Sequence, residues 1–360
     1  MNLFRTMTVG IAAAVAALAI GGVAKAEEKL KVGFVYCCPV GDLGWSYEHE
    51  KGRKAIEEAF GDRVETSFVE SVSDGPDAER VIRQLAQSGN DMVFTTSFGF
   101  MNPTVKVAKS FGKVKFEHAT GFKRTANLAT YSSRFYEGRH ILGLIAGRMT
   151  TSNTVGYVAS FPIPEVVRGI NAAFLAARSV NPRVQFKVIW VNTWFDPGKE
   201  ADAARALIDQ GADILMQHTD SPAAMKIAED AGIRAFGQAS DMSRFGPSAQ
   251  MTAIIDNWAP YYIARVKAAL DGEWTSEDTW GGFSTGMVAL APYNTNLPAD
   301  VVAEAEAARK AIAAGTLHPF TGPLNRQDGS VWLKAGETAP DGDLLGMNFY
   351  VEGIEGSVPQ

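Results

Sequence analysis

Apolar and polar positions follow one another along this chain in an order that occurs twice. Residues 206–222 read as the end of a helix, a turn at Gly211, and a continuous apolar run through Ile214, Leu215 and Met216. Polar Gln217, His218, Thr219 and Asp220 come next. A short apolar run without alternation suits a strand covered on both faces. Residues 85–98 repeat the order, with Gly89 in the place of Gly211 and Asp91 in that of Asp213. Lys31-Val-Gly-Phe-Val-Tyr36 pairs with Thr154-Val-Gly-Tyr-Val-Ala159, residues 70–76 pair with 191–197, and 115–121 pair with 234–240. Each pair lies about 120 residues apart, the size of a domain and too long for a solenoid repeat. The pattern therefore predicts two similar α/β lobes whose strand ends face a shared cleft, the place where open parallel sheets bind ligands.

In the first lobe the pattern predicts strands over 29–38, 63–70, 92–96, 113–119 and 128–131, with helices starting at Ser46 and Pro76. The second lobe repeats the series from a small-residue helix over 135–149 to a strand over 233–239. Residues 250–255 read as a strand returning to the first lobe. A helix over 258–270, a last strand over 282–290, a helix over 298–314 and a covering segment from Thr316 follow. The expected division is 27–132 plus 251–275 for the first lobe and 133–250 plus 276–360 for the second. Three crossings make a hinge of several strands, which permits closure through a few dihedral changes.

Apolar content of 46% and charged content of 21% are those of a globular protein. The net charge of −6 disfavours nucleic acid as a partner. Arg5, an apolar run over 9–23 and Ala24-Lys25-Ala26 form a secretory leader pattern, so cleavage after Ala26 and a periplasmic location are expected. Cys37 and Cys38 are adjacent, too constrained for an ordinary disulfide. The five histidines are scattered without ligand spacing, so neither a metal site nor a cofactor is expected. Gly282-Phe-Ser-Thr-Gly286 fits the expression for a nucleophile elbow at Ser284, but the run after it reads as strand where the elbow needs a helix. No enzyme is expected.

Placement nominates binding residues. Trp45 stands in the turn before the first helix, at the mouth of the cleft, and Phe98 and Phe100 lie in a glycine-containing loop after the third strand. Such aromatics stack on planar ligands as readily as they pack under loops. His218 and Asp220 sit at a strand end.

The chain resembles the Bmp (PnrA-like) solute-binding proteins of bacterial ABC transporters. The resemblance rests on Phe135-Tyr-Glu-Gly-Arg-His-Ile-Leu-Gly-Leu-Ile-Ala-Gly147, Asn153-Thr-Val-Gly-Tyr-Val-Ala159, Val167-Arg-Gly-Ile-Asn-Ala-Ala-Phe174, Trp194-Phe-Asp-Pro-Gly-Lys-Glu-Ala and the Gly211-Ala-Asp block. It implies a type I periplasmic-binding-protein fold, two doubly wound parallel-sheet lobes on a multi-strand hinge. It further implies a monomer that captures purine nucleosides or bases for an inner-membrane permease. The chain departs from its nucleoside-binding relatives at Asp42-Leu-Gly-Trp45-Ser46, at Thr120, at His218-Thr-Asp-Ser-Pro222 and at Asp256-Asn257-Trp258, while Asp241 keeps their acidic residue. Ribose-directed groups are lost and bulk is added, which points to a free purine base. The expected contacts are Asp42, Trp45, Phe98, Phe100, Phe161, Trp194, His218, Asp220, Asp241, Asn257 and Trp258, with Asp220, Asp241 and Asn257 on the base edge. A nucleoside or a sugar in the same cleft, and a hydrolase using Ser284, stand as the alternatives; a cytoplasmic repressor of this fold would need DNA-binding helices that the chain lacks.

Overall fold

The computed structural model describes residues 28–359, so the leader expected over residues 1–26 lies outside the described residues. In the first sheet, β1 (Leu30–Val35), β2 (Val64–Val69), β3 (Met92–Thr95), β4 (Lys115–Ala119) and β5 (Leu128–Ser133) run parallel in the order β2-β1-β3-β4-β5. They are joined by α1 (Trp45–Phe60), α2 (Pro76–Gln87) and α3 (Met101–Ala108). The second lobe opens with α4 (Phe135–Met149) and continues through β6 (Thr154–Ala159), α5 (Pro164–Val180), β7 (Gln185–Trp190), α6 (Pro197–Asp209), β8 (Ile214–His218), α7 (Ala223–Asp230), β9 (Arg234–Gly237) and β10 (Gln250–Asp256). Its strand order is β7-β6-β8-β9-β10, the same winding as in the first sheet. Helices cover both faces, and every residue of β3, β6 and β8 is buried. The duplication read from the chain is thus a duplication of architecture.

β10 corrects an expectation. It does not return to the first lobe but pairs parallel with β9, Gln250 beside Ala235 and Ala253 beside Gly237. It is the counterpart of β5, one repeat of about 120 residues later. The chain crosses only after it: α8 (Ala259–Leu270) packs on α1, and β11 (Asp278–Gly281) extends the first sheet beside β5. β12 (Val288–Leu290) then lies antiparallel to β10. Of the strand expected over 282–290 only β12 at its end is strand; a turn at Phe283–Thr285 separates it from β11, which precedes the expected range and lies in the other sheet. The crossings fall near residues 134, 257 and 282–287, which moves the expected boundaries at 251 and 276.

A buried ion network fixes α8 to the first sheet. Glu117 on β4 is wholly buried and accepts from Arg265 Nε at 2.6 Å, the Tyr261 hydroxyl at 2.7 Å and Trp274 Nε1 at 2.6 Å. A charge buried with this many donors is tolerated because both of its oxygens are hydrogen-bonded and a guanidinium offsets it. In the second lobe α9 (Ala299–Ala313) packs on α4, and β13 (Leu324–Asn325), β14 (Val331–Leu333) and α10 (Asp341–Leu345) belong to the covering tail. The buried Asn171 on α5 pins that tail by donating to Phe349 O at 2.8 Å and accepting from Val351 N at 3.1 Å.

The small residues of α4 have a packing reason. A side chain on Gly143 would place its Cβ 2.0 Å from Ala173 O of α5, and one on Gly147 would lie 2.5 Å from Ala177 O. The helices can touch at this distance only through glycine. Gly143→Val should cost at least about 3 kcal/mol, since backbone must move to admit it. A thermal melt should show a Tm lower by several degrees; an unchanged Tm would mean that α4 and α5 are not in this contact.

Candidate functional site

The carboxyl ends of both sheets meet at a cavity lined by residues of both lobes. The first lobe contributes Cys37 after β1, Trp45 at the start of α1, Ser97 and Phe98 after β3, and Thr120 after β4. From the second come Ile163 and Glu165 at the start of α5, Trp194 after β7, His218 and Asp220 at the end of β8, and Gln238 after β9.

The backbone at the strand ends is also duplicated. Ser71 and Thr120 in the first lobe, and Asn192 and Ala239 in the second, have φ of 58°, 61°, 52° and 60°. All four follow a strand, and Thr120 and Ala239 occupy matching places in their lobes. Left-handed conformations at non-glycine residues cost roughly 1–3 kcal/mol each and tend to mark functional turns. Thr120 lines the cavity, and Ala239 adjoins Gln238, which does.

The two lobes are joined through the start of α1. Its cap residue is Gly44, which supplies no side-chain cap of its own. The second lobe provides one: Gly44 N donates to Ser240 Oγ at 2.8 Å and Trp45 N donates to Asp220 Oδ1 at 3.1 Å. Exposed N–H groups at a helix start require acceptors, and a carboxylate there also meets the positive end of the helix dipole. Gly44 has φ of 91°, and a Cβ on it would lie 2.8 Å from Asp220 O, so the close approach needs glycine. The Trp45 indole is oriented by its own Nε1, which donates to Thr96 O at 2.5 Å.

Acidic groups crowd the deep part of the cleft. Asp220 is pushed up to about 7, mainly by burial and further by Glu200, against the Trp45 amide and the Cys38 thiol that lower it. Asp256, on the hinge, is wholly buried and among the described residues neither oxygen is partnered; burial holds it well above the usual range, with Glu48 and Glu165 adding to the effect and Arg139 opposing it. Glu165 lies 3.5 Å from His218 Nε2 through one oxygen, and its other oxygen is buried and unpartnered. Burial lowers the His218 pKa, and among the described residues its Nδ1 has no partner. Arg139 from α4 and Arg168 from α5 are buried cations beside these groups. Buried polar atoms are normally satisfied, so this concentration beside a cavity suits a polar ligand.

Of the residues expected from sequence, Trp45, Phe98, Trp194, His218 and Asp220 lie on the cavity wall. Phe161 stands behind Trp194, ring centroids 5.1 Å apart. The other five are elsewhere. Asp42 is exposed at the rim and pairs with Arg244 across the lobes. Phe100 is core of the first lobe, and Trp258 is buried behind Trp45 and stacked on His49 at 4.7 Å. Asp241 holds a loop through Ser243 N and Gln250 Nε2, and Asn257 donates to Gly286 O in the hinge. The base-edge role expected for Asp241 and Asn257 fails because both side chains are engaged in local backbone support. Sequence reading missed Ser97, Glu165 and Gln238; the repeat could have found Gln238, which follows β9 in the stretch matched to residues 115–121. Ser284 is exposed on the interlobe turn, and among the described residues no histidine bonds to it.

The pH response of closure follows from Asp220. Parting the lobes returns it to water and to the ordinary carboxylate range near about 4. A carboxyl with the higher pKa in the closed form takes up a proton on closing, so closure weakens as pH rises from about 4 through 7. Asp220→Asn keeps an acceptor for Trp45 N and should remove that dependence; tryptophan fluorescence of the ligand-free protein against pH would show it. An unaltered pH profile in the variant would assign the effect to another group.

Comparison with known proteins agrees with this geometry. Residues 29–317 match the family described as ABC transporter substrate-binding protein PnrA-like. A purine-binding protein of Brucella abortus is 58% identical over 350 residues, 97% of this chain and 100% of that protein. A putative ABC transporter glucose-binding protein of Haloferax volcanii is 39% identical, covering 94% of this chain and 84% of that one. Among solved structures, an ABC transporter solute-binding protein from Aeropyrum pernix superposes with a TM-score of 0.70 at 16% identity, over 89% of this chain and 98% of that chain. This chain belongs to the PnrA-like family of ABC transporter substrate-binding proteins.

Proposed function

We propose that the protein captures a free purine base between its lobes and delivers it to an ABC permease. The observation that carries the reading is the cavity itself: flat aromatic walls from both lobes, Trp45 and Phe98 on one side and Trp194 on the other, with Asp220, Glu165 and Gln238 as polar groups around them. A planar heterocycle bearing both N–H donors and ring-nitrogen acceptors fits such a lining. Stacking supplies roughly 1–3 kcal/mol per base, and polar groups left unpaired by a wrong ligand enforce selection. The 58% identical relative named for purine binding supports the reading. The leader pattern before residue 27 supports export to the periplasm, where such a protein meets its ligand.

A sugar is the second reading, favoured by the 39% identical relative named for glucose and by the carboxylates of the cavity, which also suit hydroxyl groups. Calorimetric titration with adenine, hypoxanthine, guanine, adenosine, inosine and glucose separates them. The purine bases should bind tightest and glucose should not bind. Trp194→Ala should weaken base binding by roughly 1–3 kcal/mol, about 5- to 150-fold in Kd. Glucose binding with purines silent would replace the purine assignment, and a nucleoside preferred over its base would show that other residues serve the ribose.

A further inference from the structure

Gln238 differs from the other polar groups on the cavity wall in that its orientation is chemically determined. Its Oε1 receives a hydrogen bond from Arg139 Nη2. An arginine carries five N–H donors and no acceptor, so the amide atom facing it can only be the oxygen. The NH2 group is thereby turned the other way, and among the described residues it has no partner. Arg139 cannot follow the ligand or swing out. It is 1% exposed, its Cγ packs into the space left by Gly169, and its guanidinium lies 5.4 Å from the centre of the Tyr157 ring. The backbone that carries Gln238 is equally held, since Gln238 O accepts from Ser240 N at 2.6 Å and Ala239 is left-handed. Gln217, also buried, makes the contrast. Both of its N–H groups donate to the backbone, to Thr219 O at 3.0 Å and Ser221 O at 2.9 Å, so its role is local.

We propose that Arg139 is a positioning residue that locks the Gln238 amide with its NH2 toward the cavity, so that the site selects purines offering a ring-nitrogen or carbonyl acceptor at that point. This rests on the purine reading above and deepens it. Asp220 and Glu165 are carboxyl groups whose donor or acceptor character changes with protonation, and a locked Gln238 supplies an amide donor that does not. Were the amide free to turn, it would accept or donate as the ligand required, and the wall would not discriminate. Asp256 and Glu165 lie close enough to stabilise the Arg139 charge, yet among the described residues its side chain gives its one hydrogen bond to the Gln238 amide.

The test uses adenine and hypoxanthine, the 3- and 7-deaza analogue of each, and 1-deazaadenine, all titrated calorimetrically into the wild type, Gln238→Glu, Arg139→Met and Arg139→Lys. Each deaza analogue exchanges one ring nitrogen for C–H. In the wild type one analogue should bind about tenfold or more weakly than its parent, the effect of one lost hydrogen bond with a donor left unpaired. Gln238→Glu keeps the shape and still pairs with Arg139 but offers an oxygen to the ligand, so the parent should weaken and the gap between parent and analogue should close. Arg139→Met frees the amide and should narrow the gap in the same way, while Arg139→Lys, which can still donate to Oε1, should retain it. Melting curves report whether each variant folds, and Gln238→Glu decides the matter if Arg139→Met does not. Loss of affinity spread evenly over all ligands, with the gap unchanged in Gln238→Glu, overturns the locking role and leaves the purine reading intact. Failure of the wild type to bind any of these purines overturns the purine reading and the inference together.

Discussion

The start of α1 depends on a cap that its own lobe does not provide. Gly44 brings no side chain, and the N–H groups of Gly44 and Trp45 are satisfied by Ser240 and Asp220 of the other lobe. A helix end without acceptors carries a desolvation cost of the order of 1–3 kcal/mol per buried group. The relative position of the lobes is therefore written into the hydrogen bonding of one turn. Because Asp220 is at once the cap and part of the cavity wall, occupation of the cavity and closure of the lobes act on the same carboxyl group. Gly44 is fixed by the same arrangement, since both its left-handed dihedral and its distance to Asp220 O exclude a side chain. The exposed pair of Asp42 and Arg244 nearby adds little, being open to water on both sides.

Two buried acids show how binding and structural charges differ in this fold. Glu117 in the first lobe has Arg265, Tyr261 and Trp274 around its oxygens and serves to hold α8. Asp256 in the hinge is buried as deeply and, among the described residues, has no hydrogen-bond partner at either oxygen. Glu165, His218 and Arg139 beside it likewise keep unpartnered polar atoms. A folded protein rarely leaves buried charged groups unmatched in its interior, and the gathering of Asp256, Glu165 and Arg139 beside the cleft marks a site as distinct from a scaffold.

The fold was legible because its evidence is periodic. Apolar runs such as those of β3, β6 and β8 announce strands covered on both faces, and the turn glycines Gly89 and Gly211 recur one domain length apart. Where the reading went astray, at β10, the repeat itself held the answer: residues 250–256 follow β9 as residues 128–133 follow β4, and so belong in the second sheet. The split of residues 278–290 between two sheets has no such signature, because strand pattern is the same whichever sheet receives it.

The site was half legible for a related reason. Strand ends could be located, so residues placed directly on them, such as Trp45, His218 and Asp220, were found. Whether an aromatic at such a place meets the ligand or the core depends on which face of a turn it leaves by, and Phe98 and Phe100, two residues apart, went opposite ways. Polar residues raised a second difficulty. Asp241 and Asn257 have the chemistry for a base edge, yet their hydrogen bonds are taken by nearby loop and hinge groups, while Gln238 is made a donor by an arginine from a different helix. The sequence by itself determined the two lobes, their winding and the level at which a ligand would lie, because periodicity and turn chemistry are local. Only the tertiary structure decided which side chains face the cavity, how Gln238 is oriented and what caps α1, because each of these is a contact between segments far apart in the chain.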